Sequence, residues 1–282
     1  MYKILAFLLL LWLPNIAQSQ YWEAGVFLGG SNYTGELTPG VVVWSESHLA
    51  GGGLVRYNIS RRFALKGHIY YGSISGSDEN AKREENRIRN LNFRSSLLEF
   101  GLQFEYNLME YETGTKWNFA PFIFAGLGVY RYNPQAIITT RASDGSFEEE
   151  YVELQPLGTE GQELTQYQNR KKYNLTQLSI PFGAGLKFSI SGHMNIGVEI
   201  GPRFTYNDYL DDISQTYVED QLLRAQNGPL AARLANRTGE VLGEPLEVGP
   251  HVDRGNSSTF DWYHFAGFTV TYSFYRDVCY GF

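Results

Sequence analysis

The stretch FRSSLLEFGLQFEYNLM occupies residues 93–109. Its even positions from 98 onward are Leu98, Phe100, Leu102, Phe104, Tyr106 and Leu108, while Ser95, Glu99, Gly101, Gln103, Glu105 and Asn107 stand at odd positions. Successive side chains of a strand point to opposite faces. The segment therefore reads as a strand with one apolar face and one polar or small face. The same rhythm returns at 21–33, 48–58, 63–71, 176–190, 196–206 and 259–275. The chain has too little other material to cover so many apolar faces. A sheet closed into a barrel, with its apolar side to lipid and its polar side inward, accounts for the pattern. Residues 117–132, WNFAPFIFAGLGVYRY, add a strand that is apolar on both faces, and Asn133-Pro134 marks its expected end.

Composition agrees with that reading. Gly and Tyr are abundant, 30 and 20 of 282 residues, and aromatic residues in quantity suit girdles at two membrane interfaces. A mean hydropathy of −0.29 looks soluble only because lipid-facing residues occupy alternate positions. After residue 19 no apolar run approaches the roughly twenty residues of a membrane helix. Residues 4–13 are nearly all apolar, Pro14 breaks the run, and Ala17-Gln18-Ser19 offers small residues for cleavage. The expected organisation is a signal peptide at 1–19, cleaved near Ser19/Gln20, and a barrel at 20–282 in the outer membrane of a Gram-negative cell. The lone Cys279 excludes an internal disulfide, and a net charge of −7 argues against nucleic acid as a partner.

The connections alternate in length. Those near 59–62, 110–116 and 191–195 are short. Those between the other strands are long, above all 134–175 and 207–258, the latter with helical content at 219–237. The expected fold is all-β: an eight-stranded antiparallel transmembrane barrel with short periplasmic turns and long outer loops.

An eight-stranded barrel is just wide enough for its own side chains to fill it. Arg56, Lys66, Glu99, Gln103, Glu105, Lys187, Glu199 and Arg203 fall on inward positions, and their charged members are expected to pair as a plug. No enzyme constellation emerges, and no cofactor is expected. The histidines, His48, His68, His193, His251 and His264, lack metal-ligand spacing, and no Gly-x-Ser-x-Gly elbow occurs. Glu99 and Glu105 stand about 20 Å apart along a strand, too far for a catalytic pair. Asp208, Asp211 and Asp212 form a turn-like acidic cluster that could hold Ca²⁺ through carboxylate oxygens.

Four stretches read together carry a resemblance. They are PFIFAGLGVY (121–130) with Asn133-Pro134 after it, LQPLGTEGQ (154–162), YNLTQLSIPFGAG (173–185), and NDYLDDIS (207–214) followed by Thr216-Tyr217-Val218. The set resembles the PorG family, small outer-membrane barrels of the type IX secretion system of Bacteroidetes. The resemblance implies a structural role: association with the periplasmic ring built by PorK and PorN, in support of cargo export, with no catalytic residues. The short turns and chain ends are where such a ring could dock, and Arg61, Arg62 and Lys116 could offer it charge. The competing readings are a small passive porin-like channel and an adhesin barrel.

Overall fold

The computed structural model describes residues 20–38, 44–113, 118–141 and 146–274. The expected signal peptide, Lys116 and Cys279 lie outside them. Nine strands are present: β1 (Tyr21–Thr34), β2 (His48–Asn58), β3 (Phe63–Ser77), β4 (Asn92–Asn107), β5 (Asn118–Arg141), β6 (Phe147–Glu153), β7 (Thr176–Ser189), β8 (Met194–Thr205) and β9 (Trp262–Phe274). Eight of them close a ring in the order β1-β2-β3-β4-β5-β7-β8-β9, every neighbour antiparallel. The seam joins first strand to last, from Trp22 opposite Phe274 to Thr34 opposite Trp262. Closure leaves the ring no free edge, so its backbone polar groups are met inside the sheet.

The two-residue rhythm sorts the wall as expected. Leu102 is 54% exposed and its neighbour Gln103 is fully buried. Exposed aromatics gather in two belts. Trp22 with Tyr57, Phe63 with Phe104 and Phe119 with Phe188 ring the end that carries the short turns. Trp262, Phe204 and Tyr206 meet edge to face at the end that carries the long loops. On β9 the belts are marked by Tyr272 and Trp262. Ten steps of about 3.3 Å, tilted by about 40°, give roughly 25 Å of height, the thickness of a barrel's apolar band. Val198 lies between the belts on the outward face of β8. Val198→Arg is expected to cost about 2–4 kcal/mol in lipid vesicles, read by urea unfolding. An unchanged midpoint would mean this face does not meet hydrocarbon.

β5 departs from expectation. It does not end at Asn133-Pro134 but runs on to Arg141, and β6 folds back on its extension. Pairing with β7 stops at Arg131, and pairing with β6 starts at Gln135. Pro134 falls in the gap between these two neighbours, on the stretch still paired to β4. A missing N–H there is tolerated, as it would not be in a fully paired strand. The segment 134–175 is therefore a hairpin followed by packed coil.

The structure also explains why β5 is apolar on both faces. Its inward Phe122 and Phe124 are buried. Gly183, Gly185 and Gly201 on the facing strands leave room for these rings, and a Cβ at any of the three would collide with one of them. Large residues thus fill the lumen against small ones. Toward the long loops the interior turns aromatic and aliphatic: Phe27, Tyr70, Phe93, Leu97, Tyr130, Tyr132, Tyr263 and Phe265 are all buried. The sequence reading put polar and charged side chains inward outside residues 117–132, and it did not anticipate this apolar part of the lumen on the other strands.

The long loops fold over this end as a cap. They carry the short helices α1 (Glu84–Arg89), α2 (Asp220–Gln226), α3 (Pro229–Ala235) and α4 (Thr238–Leu242). Leu210, Ile213 and Leu234 join the lumen core. Leu164, Val218, Leu223, Ala231 and Ala232 make a second core outside it, and Leu157 packs against both.

Candidate functional site

The lumen holds two charged clusters, one around Glu105 and one around Glu99, which meet where the His68 and Tyr70 rings lie 4.2 Å apart. Arg56 on β2 donates from Nη1 to Glu23 on β1 at 2.6 Å and from Nε to Glu105 on β4 at 2.8 Å. Lys187 on β7 reaches Glu105 from the opposite wall at 2.6 Å. Lys66 on β3 donates to Glu199 on β8 at 2.7 Å and lies 3.5 Å from Glu105. Nearer the long loops, Glu99 lies 2.7 Å from His68 Nε2 and 3.2 Å from Arg203 Nη2, and accepts from the Tyr263 hydroxyl at 2.5 Å. Neutral groups complete the set: Asn58 and Thr271 donate to Glu23, and Tyr70 donates to Glu199. Rings of the inner wall cover the cations, Phe122 under Lys187 and Phe265 under Arg203.

All seven charged residues expected inside are here and buried: Arg56, Lys66, Glu99, Glu105, Lys187, Glu199 and Arg203. Sequence reading left out Glu23 and His68, although both have inward parity beside outward Trp22 and Ile69. Counting Glu23, four carboxylates face four Arg or Lys cations, so the formal charges of these eight side chains sum to zero. The His68 ring fills the space beside Gly101, where a Cβ would overlap it. Buried charges tolerate such a setting only when paired and hydrogen-bonded.

A second network ties the cap together, and it draws on three of the four stretches that carried the sequence resemblance. Glu160 accepts from the Ser214 N–H at 2.9 Å, the Gln215 N–H at 3.0 Å and Arg254 Nη1 at 3.1 Å. Asp212 accepts from the Thr159 hydroxyl at 2.5 Å and the Tyr173 hydroxyl at 2.7 Å. Burial pushes the Asp212 carboxyl up to about 6 despite the nearby Arg254 guanidinium.

The structure does not bring the three aspartates read as a Ca²⁺ cluster to one point, because Asp212 faces away from the other two. Asp212 adopts a left-handed backbone (φ 67°) and turns to Thr159 and Tyr173. Asp211 points elsewhere, to the Tyr33 hydroxyl at 2.7 Å. Asp208 accepts no hydrogen bond on either oxygen, and burial pushes it up to about 8. Asp211 instead gathers with Glu36 and Asp261. Burial and the neighbouring acids hold both Asp211 and Asp261 well above the ordinary carboxylate range.

At the short-turn end, Arg61 and Arg62 are half-exposed as expected, but they are not a bare positive patch. Arg61 pairs with Glu112 at 3.0 Å and with Glu110 at 3.7 Å, and Arg62 lies 3.8 Å from Glu110. They link the β2–β3 turn to the segment after β4.

The family model described as Domain of unknown function (DUF6089) matches residues 2–155. No curated protein matches the chain. Among solved structures, the chain is similar to Ail, the attachment invasion locus protein of Yersinia pestis, solved with the heparin analogue sucrose octasulfate (9% identity, TM-score 0.39, 91% of this chain and 100% of that one). It is similar to the outer membrane protein OprG of Pseudomonas aeruginosa (12%, 0.40, 92% and 98%) and to Neisserial surface protein A (8%, 0.41, 90% and 97%).

Proposed function

Because the chain belongs to the DUF6089 family, whose description assigns no activity, we propose from its own geometry that it is a sealed structural barrel of the outer membrane serving the type IX secretion system. Its partners on this reading are outer-membrane lipid and a periplasmic ring of the PorK and PorN kind, and it carries no catalytic role. The observation that carries the structural part is the charge-balanced plug around Glu105 and Glu99, roofed by the aromatic half of the lumen and the cap. A barrel filled in this way acts through its surfaces. Location in the outer membrane is supported by the apolar band between two aromatic belts and by short turns at one end against long loops at the other. The type IX assignment rests on the four stretches of sequence resemblance.

Gentle detergent extraction of a tagged chain from its native membrane tests the partner. Ring proteins are expected to co-purify, and the Arg61→Glu/Arg62→Glu double variant is expected to weaken the complex tenfold or more by reversing charge at the turns. Recovery of the barrel alone, from membranes in which the ring is assembled, would contradict the secretion role and leave the adhesin reading.

A further inference from the structure

Three carboxylates from separate parts of the chain meet where the cap joins the barrel. Glu36 follows β1, Asp211 opens the long β8–β9 connection, and Asp261 directly precedes β9. One oxygen of each lies within 4.8 Å of the others. Asp211 and Asp261 are buried. The Tyr33 hydroxyl lies 2.7 Å from Asp211 Oδ2 and 2.9 Å from Asp261 Oδ1, yet it has one proton and satisfies one carboxylate at a time. Leu210 and Ile213 N–H groups donate to Asp261 Oδ2 and Asp211 Oδ1, both at 2.9 Å, and the Asn256 N–H donates to Glu36 Oε1 at 3.2 Å. Glu36 Oε2 is buried with no donor.

The nearby cations are engaged elsewhere. Arg89 is held by Asp78 at 2.7 Å and Arg254 by Glu160 at 3.1 Å. Among the described residues no Lys or Arg forms an ion pair with Glu36, Asp211 or Asp261. Asp208 supplies an independent sign. It is 8% exposed, and both its oxygens are buried without a hydrogen bond. Ser214 is its polar neighbour but does not reach bonding geometry. Asp208 is near enough to Glu36 and Asp261 for their charges to act on one another. Asp208 is thus a fourth carboxylate within electrostatic reach of the cluster, its two oxygens buried and met by no hydrogen bond. Gly35 keeps the space at the cluster clear, since a Cβ there would overlap the Tyr33 hydroxyl and the Asp261 carboxylate.

We propose that Glu36, Asp211 and Asp261, with Asp208 nearby, form a binding site for one divalent cation of the Ca²⁺ class that fastens the first long loop to the last. The donor set is oxygen alone and rich in carboxylate. It suits Ca²⁺, which takes six to eight such ligands in flexible geometry, and it lacks the imidazole and thiolate that zinc prefers. The inference is independent of the secretion role.

The test is calorimetric titration of the chelated, detergent-purified full chain with CaCl2 and, separately, MgCl2. One Ca²⁺ per chain is expected, with a dissociation constant of about 0.01–1 mM and clear preference over Mg²⁺. Ca²⁺ is also expected to slow proteolysis of the cap at least tenfold. Asp261→Asn, checked for barrel folding by its heat-modifiable gel mobility, is expected to lose binding at least tenfold. Absence of both heat and protection in the wild-type protein overturns the proposal without recourse to any variant. So does unaltered binding by folded Asp261→Asn, and equal binding of Mg²⁺ overturns the Ca²⁺ assignment.

Discussion

Glu105→Leu is expected to cost the barrel about 3–5 kcal/mol, the range for breaking a buried pair from one side. Glu105 is fully buried and receives charge from three walls: Arg56 at 2.8 Å, Lys187 at 2.6 Å and Lys66 at 3.5 Å. Leucine leaves three interior cations with only Glu23 and Glu199 to answer them. Some of that excess can be relieved by loss of a proton from a lysine, which lowers the cost but does not remove it. Urea unfolding in detergent micelles, followed by gel mobility of unheated samples, is the measurement. Glu110→Gln is the control. Its carboxylate lies 3.7 Å from Arg61 in half-exposed surroundings, so its loss should shift stability by less than about 0.5 kcal/mol. Equal midpoints for the two variants would mean that the lumen network does not hold the ring together.

The second large effect lies in the cap. Glu160→Ala removes the acceptor of two backbone N–H groups and of Arg254 Nη1 at once. Arg254 keeps the Asp212 backbone carbonyl, at 2.6 Å, and the Ala235 carbonyl, but its nearest remaining carboxylate is Asp212 at 3.8 Å. The expected local cost is about 3 kcal/mol, which raises the open population of the cap roughly a hundredfold. The ring strands do not depend on this bond. Limited proteolysis should therefore cut within 206–261 about a hundred times faster while the barrel keeps its heat-modifiable mobility. Unchanged cleavage would show that the cap is held by its apolar cores alone.

How much of this could be read beforehand follows from where alternation is enforced. Between the aromatic belts, lipid on one side and a packed lumen on the other demand a strict two-residue period, so residues 98–108 and 176–190 showed their faces directly. Parity also placed Arg56, Lys66 and Lys187 inside, and applied evenly it would have added Glu23 and His68. Above the belts that demand ends. Residues 135–141 extend β5 beside the acidic β6, with Ala136 and Ile138 buried in the apolar core, and the proline just before them masks the continuation. The aromatic half of the lumen was hidden because Tyr and Phe serve equally on either face. The meeting of Glu36 with Asp211 and Asp261 depends on closure between β1 and β9 and on the fold of the last loop. Adjacency in sequence pointed to Asp212 instead, which its left-handed backbone turns away.

The account stands on a lumen filled by its own side chains, and planar-bilayer recording of the purified, refolded chain tests that most directly. Opposite charges locked across the axis and rings packed above them predict a silent bilayer, with no steady single-channel steps under applied voltage. Reproducible open-channel conductance from the wild-type protein would contradict it and return the chain to the porin-like reading.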